Sequence, residues 1–288
     1  MQHLNGASHT VQYMETLKYA KMYLEMKRDL QLNPMEATVL SQSIGLTLPI
    51  SLHQAAFVPV LQTQTNEQQK RKWLQPALDM NIIGCYAQTE LSHGSNIRAL
   101  QTTATFCPET SDFVLDTPNV GATKWWVGSL GRTATHAVVI ARLRIPQKGS
   151  GAFEDKGPHP FIMQIRDMET LKPLPGITIG DIGPKLGYNS IDNGFMQFHQ
   201  VHIPLDSIPG RTGHVSCDGV YTPPSKENSR AAYSSMTHIR VLLVADSAVT
   251  LARVMTAATR YLSIRRQFAL EKNGPEVPVS EFELLLSQ

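Results

Sequence analysis

Two short segments carry residues whose types and order could do chemistry. The first is Gly84-Cys85-Tyr86-Ala87-Gln88-Thr89-Glu90-Leu91-Ser92-His93-Gly94-Ser95-Asn96. Tyr86, Gln88 and Thr89 supply hydroxyl and amide donors, and Gly94 lets a backbone come close. A heteroaromatic cofactor rich in carbonyl and ring-nitrogen acceptors would use such a strand edge. The same residues would equally make a polar strand ending in a glycine turn. The second segment is Thr123-Lys124-Trp125-Trp126-Val127-Gly128-Ser129-Leu130-Gly131-Arg132, which holds two of the three tryptophans. A Trp pair beside Gly128 could wall a flat ligand, because aromatic faces stack on planar rings. Burial of both indoles in a β core is the competing account.

Other chemistries lack their residues. There is no GxGxxG dinucleotide fingerprint and no GxxxxGK[ST] phosphate loop. Gly128-Ser129-Leu130-Gly131 imitates a nucleophile elbow, but Val127 stands where its first glycine belongs, which argues against a serine hydrolase. His199 and His202, read as members of one strand, would point to opposite faces and hold no metal together. Cys85, Cys107 and Cys217 are far apart and odd in number, so neither a disulfide framework nor a zinc site is expected, and a reducing compartment is the default. A net charge of +2 with no Lys/Arg run beyond Lys70-Arg71-Lys72 is too small to argue for a nucleic-acid partner, and none is expected. No segment reaches the ~18 apolar residues of a membrane span, and the first residues contain no apolar signal region.

These segments need elements to hold them. With 42% hydrophobic and 17% charged residues the chain is globular, and its length suggests about two domains. Residues 10–80 read as helical. Tyr13, Leu17, Ala20, Met22 and Leu24 form a loose apolar stripe, and helix-friendly runs follow near 35–45 and 52–60. Thr65-Asn66-Glu67-Gln68 has the form of a capping box with Thr65 as the cap, opening a helix through Trp73 that ends near Pro76. From 82 to 210 short β-rich runs appear at 102–106, 112–115, 137–143, 161–165, 177–182 and 195–203, broken by Gly, Pro, Asn and Asp. That spacing indicates a barrel or sandwich rather than βαβ units. After turns at 209–225, residues 229–268 contain neither Pro nor Gly, which predicts a helix of about 40 residues. Val241 to Ala245 and Ala248 to Met255 make it apolar on several sides, so it requires neighbouring helices.

The strings CYAQTELSHGSN, TKWWVGSLGRTATHAVV, KPLPGITIGDIGPKLGYNSIDNGF and DGVYTPPSKE, in this order, resemble the acyl-CoA oxidases of the peroxisomal branch and, more distantly, the acyl-CoA dehydrogenases. The resemblance implies an α+β multidomain fold. It places a partial N-terminal helical domain at 1–81, a central FAD-binding β-barrel at 82–210, and the first long helix of a C-terminal helical bundle at 211–288. By this resemblance Thr89 bonds the edge of the isoalloxazine with Gln88 beside it. Gly128 touches FAD, and Trp126 takes the place of the dehydrogenases' tryptophan. Ser95 matches a position near the thioester end of acyl-CoA. Tyr261-Leu262-Ser263-Ile264-Arg265-Arg266-Gln267-Phe268 is similar to the dehydrogenase Tyr-x-x-x-Arg-x-x-Phe-Gly motif, with Ala269 in place of the glycine. Arg265 would then reach the pyrophosphate of FAD in a partner subunit, a good task for a forked, permanently charged guanidinium, with Phe268 near the adenosine.

The implied reaction is α,β-desaturation of acyl-CoA to trans-2-enoyl-CoA. A glutamate takes the α-proton, hydride passes to FAD, and O2 is reduced to H2O2. The implied setting is fatty-acid β-oxidation in peroxisomes by a homodimer. The family's glutamate lies later than Gln288, and Glu271, Glu276, Glu281 and Glu283 do not match its motif. The chain also lacks a Ser-Lys-Leu type ending. Two expectations therefore stand. One is an oxidase whose activity needs further sequence, and the other is a non-catalytic FAD- or acyl-CoA-binding variant that pairs with a full-length subunit.

Overall fold

The computed structural model describes Leu4, residues 6–147, Gly149 and residues 151–282, with side chains at all of these except 229–239 and 242. Glu283 and the side chain of Leu242 lie outside the described residues. The chain forms two compact units, Met1–Ser235 and Met236–Gln288.

The first unit opens with helices. α1 (His9–Asp29) starts where the Ser8 hydroxyl accepts the Val11 amide, and it carries Lys27 and Arg28 in its last turn, where cations suit the helix dipole. Its buried face is His9, Tyr13, Thr16, Ala20 and Tyr23, while Met22 points outward. The apolar stripe expected from the sequence is thus rotated toward polar and aromatic residues that dock on the β domain. α2 (Pro34–Ile44) has a full capping box between Asn33 and Glu36 and ends at Gly45 in the left-handed region. A π-turn at His53–Phe57 runs into α3 (Val58–Gln64). Next come α4 (Glu67–Gln69), a second π-turn at Lys70–Leu74, and α5 (Gln75–Leu78). The capping box here lies one residue later than expected. Asn66 is the cap and Gln69 the reciprocating residue, because the Thr65 hydroxyl is committed to the Leu61 carbonyl of the preceding helix.

Nine strands of the central region form two sheets. β1 (Gly84–Ala87), β2 (Thr103–Cys107), β3 (Asp112–Asp116), β5 (His136–Pro146), β6 (Phe153–Gln164) and β9 (Val201–Ile203) share one, and β4 (Lys124–Val127), β7 (Ile177–Asp181) and β8 (Gly194–Phe198) the other. β5 is the axis of the larger sheet. β1 and β2 lie parallel to its two halves, and β6 pairs antiparallel along its length. Ala137, Val139, Ala141 and Leu143 face the core between the sheets, while Val138 and Ile140 pack on Phe57, Leu61 and Ile162 under the helices. Burial on both faces explains why β5 reads as a continuous apolar run rather than an alternating one. The run 195–203 is two strands, not one. Gln200 adopts φ 52° and turns the chain between β8 and β9, so His199 bonds Thr178 while His202 bonds Asp112. A small ribbon, β10 (His214–Val215) with β11 (Tyr221–Thr222), occupies the turn-rich stretch.

α6 (Lys226–Ile264) is 39 residues long and ends earlier than expected. Residues assigned from sequence to its last turn form β12 (Arg266–Ala269), paired with β13 (Glu276–Pro278) across the turn that Asn273 and Gly274 make possible. Val241, Leu243, Val244, Leu251, Val254 and Met255 on α6 are exposed. Among the described residues no helix is long and apolar enough to cross a membrane. The order is therefore the expected one, with N-terminal helices, a strand-rich central domain and a C-terminal helix.

The joint between helices and β1 rests on Gly84. Its amide donates to His53 Nδ1 at 2.9 Å, while His53 Nε2 donates to the Ala77 carbonyl at 3.0 Å. A Cβ on Gly84 would lie 2.2 Å from the fully buried Phe57 ring. Gly84→Ala is expected to cost about 3 kcal/mol, the upper range for overpacking a closed core. A urea midpoint equal to that of the parent would refute this.

Candidate functional site

The two segments singled out by composition meet side by side. After β1 the chain continues through Gln88 and Thr89 and forms an antiparallel bridge, Glu90 to Lys124, with the start of β4. The Trp125 amide donates to the Thr89 carbonyl at 3.0 Å, and the Leu91 amide to the Thr123 carbonyl at 2.8 Å. Thr89 is exposed, and neither its amide nor its hydroxyl has a partner among the described residues. Gln88 is half-buried, and its side-chain oxygen receives the Tyr86 hydroxyl at 3.4 Å.

A bulge then separates the two indoles. β4 pairs with β8 at Lys124–Met196 and Val127–Gly194, and the register shifts between them. Trp125 stays half-buried and stacks on Phe195, centroids 6.0 Å apart. Trp126 is thrown outward with φ 62° and 45% exposure, and its ring is met edge-on by Tyr188. Asn193 holds the bulge through a 3.2 Å bond to the Trp126 carbonyl. A bulky residue in the left-handed region is strained, and such strain collects at ligand sites. The choice left open between core and wall is thus divided between the two indoles.

Gly128 follows. A Cβ there would meet nothing in the chain closer than Leu52 at 3.4 Å, which is ordinary contact. Gly131 and Gly194 differ, since their Cβ atoms would press on Asp181 at 3.1 Å and on the Gly131 amide at 2.6 Å. Those two glycines are required by packing, whereas Gly128 is free for something outside the chain to approach. The loop beyond is braced from below. Arg166 donates to the carbonyls of Leu130, Gly131, Ala134 and Leu171. Asp192 receives the amides of Arg132 and Thr133, and burial raises its carboxyl above the ordinary value despite these bonds. Ser129, the would-be nucleophile, is buried and donates to the Pro49 carbonyl, so its role is structural.

Sequence reasoning passed over the ion pair underneath. Glu90 and Lys124 are 2% and 0% exposed and lie 3.1 Å apart. The Lys124 ammonium donates to Glu90 Oε1, the Gln88 carbonyl at 3.1 Å and the Ile140 carbonyl at 2.6 Å, which satisfies all three of its hydrogens. Burial draws its pKa down to about 8, with Glu90 opposing. Burial pushes Glu90 up, but Lys124, the Thr102 hydroxyl and the amides of Gln101 and Thr102 outweigh it and hold the carboxyl below its ordinary value. The lowered Glu90 carboxyl and the three acceptors around the ammonium both favour the charged pair.

The remaining expected site residues are Ser95, Arg265 and Phe268. Ser95 is exposed beyond the Glu90–His93 turn, and its carbonyl receives the Ile97 amide. Arg265 and Phe268 belong to the second unit. Arg265 is exposed at the junction of α6 and β12, bonded through its backbone to Tyr261 and Val279, and Phe268 is an exposed β12 residue with φ 61°. Of two cavities, one of about 450 Å³ lies near Lys72 and His214, and the other, of about 330 Å³, lies between His159, Tyr221 and Tyr86 of the first segment. The candidate site is instead an open surface along Gln88, Thr89, Trp126 and Gly128. Free donors, an outward indole and an unencumbered glycine fit a flat heteroaromatic cofactor such as a flavin.

Comparison with known proteins places the chain in a family. The sequence matches family models in succession: acyl-coenzyme A oxidase N-terminal over residues 1–83, acyl-CoA dehydrogenase middle domain over 85–201, and acyl-CoA oxidase C-alpha1 domain over 233–286. It is 46% identical over 258 residues to peroxisomal acyl-coenzyme A oxidase 1 of Arabidopsis thaliana, covering 88% of this chain and 38% of that protein. The structure of Arabidopsis thaliana acyl-CoA oxidase 1 superposes with a TM-score of 0.89 at 43% identity, over 96% of this chain and 42% of the other. Caenorhabditis elegans acyl-CoA oxidase-1, complexed with FAD and ATP, gives 0.86 at 39% identity, over 98% of this chain and 41% of the other. The chain therefore spans about two fifths of the length of its relatives. With successive domains in the order of the oxidases and these identities along nearly its whole length, the chain belongs to the acyl-CoA oxidase family.

Proposed function

We propose that this chain supplies the flavin-holding part of a peroxisomal acyl-CoA oxidase, which desaturates acyl-CoA to trans-2-enoyl-CoA and reduces O2 to H2O2 in fatty-acid β-oxidation. The reading rests on the surface where the free amide and hydroxyl of Thr89 adjoin the outward Trp126 and the unencumbered Gly128. FAD, when bound, accepts the hydride from the substrate. The chain's own residues bind and orient. Thr89 and Gln88 offer donors to the ring edge, Trp126 walls the ring, and Gly128 lets the backbone approach it. Ser95 serves the thioester end of the acyl-CoA. Arg265 pairs with the pyrophosphate of FAD in the partner subunit of a homodimer, and Phe268 packs by its adenosine. Residues 1–81, 82–210 and 211–288 act as the helical, flavin-binding and bundle-forming domains.

Titrating the purified chain with FAD, followed by flavin fluorescence, tests this. Saturable binding is the expected result, and a chain that stays colourless with excess FAD would overturn it. Gly128→Ala should raise the dissociation constant about tenfold, roughly 1.4 kcal/mol, while the melting temperature holds, because the chain has room for the methyl. Equal affinity in the two proteins would remove Gly128 from the site.

A second reading draws on the exposed apolar residues of α6. Here the chain is a non-catalytic FAD- or acyl-CoA-binding variant that pairs with a full-length subunit. Turnover of acyl-CoA by the purified chain in a peroxide-coupled assay would exclude this second reading.

A further inference from the structure

We propose that Lys124 is a positioning residue for the cofactor, its buried ammonium holding and polarising the Gln88–Thr89 peptide so that the Thr89 N–H becomes a strengthened donor to the electron-rich edge of the flavin. The proposal rests on the flavin reading above and adds a residue that reading does not contain.

The geometry is that of a clamp behind a presented edge. Lys124 begins β4, the strand of the Trp segment, yet its side chain crosses beneath the neighbouring segment and donates to the Gln88 carbonyl. That carbonyl and the Thr89 N–H belong to one peptide unit. In a trans peptide the two point in opposite directions, and no peptide bond among the described residues is cis. With the carbonyl turned toward the ammonium, the N–H of the exposed Thr89 faces away from it and has no partner among the described residues. A cation on the carbonyl oxygen draws electron density through the planar amide, making the N–H a stronger donor, as chained hydrogen bonds polarise one another. Glu90 keeps the ammonium in place without reaching the peptide. Its oxygens are occupied by Lys124, Thr102, the Gln101 amide and His93.

A structural staple would affect folding and nothing more. A polarised donor should favour the reduced cofactor over the oxidised one, because reduction places negative charge on the ring edge it faces. The discriminating readout is thus the ratio of affinities for reduced and oxidised FAD, measured anaerobically on the purified chain and on Lys124→Met. Should the single variant not fold, Glu90→Gln with Lys124→Met removes both charges at near-constant shape and takes its place. The expected result is a ratio lower by about tenfold, the difference between a charge-assisted and an ordinary hydrogen bond. In the cofactor-free protein the Thr89 amide proton should also move upfield. A folded variant with an unchanged ratio and an unmoved amide overturns the proposal alone. A parent chain that binds neither form of FAD overturns the flavin reading first, and the proposal with it.

Discussion

Glu90→Ala is expected to lower the unfolding free energy by about 3–5 kcal/mol, the usual cost of stranding one member of a buried ion pair. Five donors lose their acceptor together: the amides of Gln101 and Thr102, the Thr102 hydroxyl, His93 Nδ1 and the Lys124 ammonium. Apart from Lys124, only the Thr102 hydroxyl has a second acceptor among the described residues, the Ala122 carbonyl. The largest share comes from Lys124, which at 0% exposure has no route to water and keeps just two carbonyls. Against a total stability of about 5–15 kcal/mol for a domain, this loss is large. Glu90→Gln keeps one oxygen acceptor and should cost clearly less. Chemical denaturation of both variants checks the order, and a loss below about 1 kcal/mol for Glu90→Ala would mean the pair is solvated and contributes as surface pairs do.

This pair also marks where the sequence stopped being informative. Thr89, Trp126 and Gly128 could be picked out because donors, an indole and a glycine beside it are unusual company, and their strand segments do meet. Glu90 and Lys124 carried no such mark. A charged residue reads as solvent-exposed unless its partner is known, and these partners are 34 positions apart on strands whose pairing no local pattern specifies. The fold's order was legible because helical and strand periodicities are local, but element ends were decided by contacts. Gln200 splits the run 195–203 by entering the left-handed region. The end of α6 gives way to β12 because β13 is there to pair with it. The sequence lacks Pro and Gly at that point and so gives no warning. The rotation of the α1 face has the same origin. His9 and Tyr13 are buried because Asp181, Asn189 and Thr133, far along the chain, accept or share their hydrogen bonds.

Acid is expected to loosen this domain well above the carboxylate range, and His136 should carry the largest part. The ring is 3% exposed, faces the edge of Trp73 and shares a 3.0 Å bond with Thr135. Burial lowers its pKa from 6.5 to about 4. His53 and His159 are lowered as well, also by burial. His53 further needs its Nδ1 lone pair for the Gly84 amide, so protonation breaks the joint that holds β1. The sign follows from proton counting. Between pH 6.5 and about 4 the unfolded chain binds protons that the folded ring refuses, so stability is complete above 6.5 and is lost as pH falls through that window. His136 alone accounts for about 3 kcal/mol across it, at 1.36 kcal/mol per unit. Asp192 runs the other way, since its raised pKa means the folded protein takes up its proton first, which offsets part of the loss. His136→Phe keeps the aromatic contact with Trp73 and leaves Thr135 bonded to Ile83. It should flatten the fall in unfolding free energy between pH 6.5 and 4 by most of that amount. A variant as acid-sensitive as the parent would move the effect to His53 and His159, and with it the weak point from the start of β5 to the β1 joint and β6.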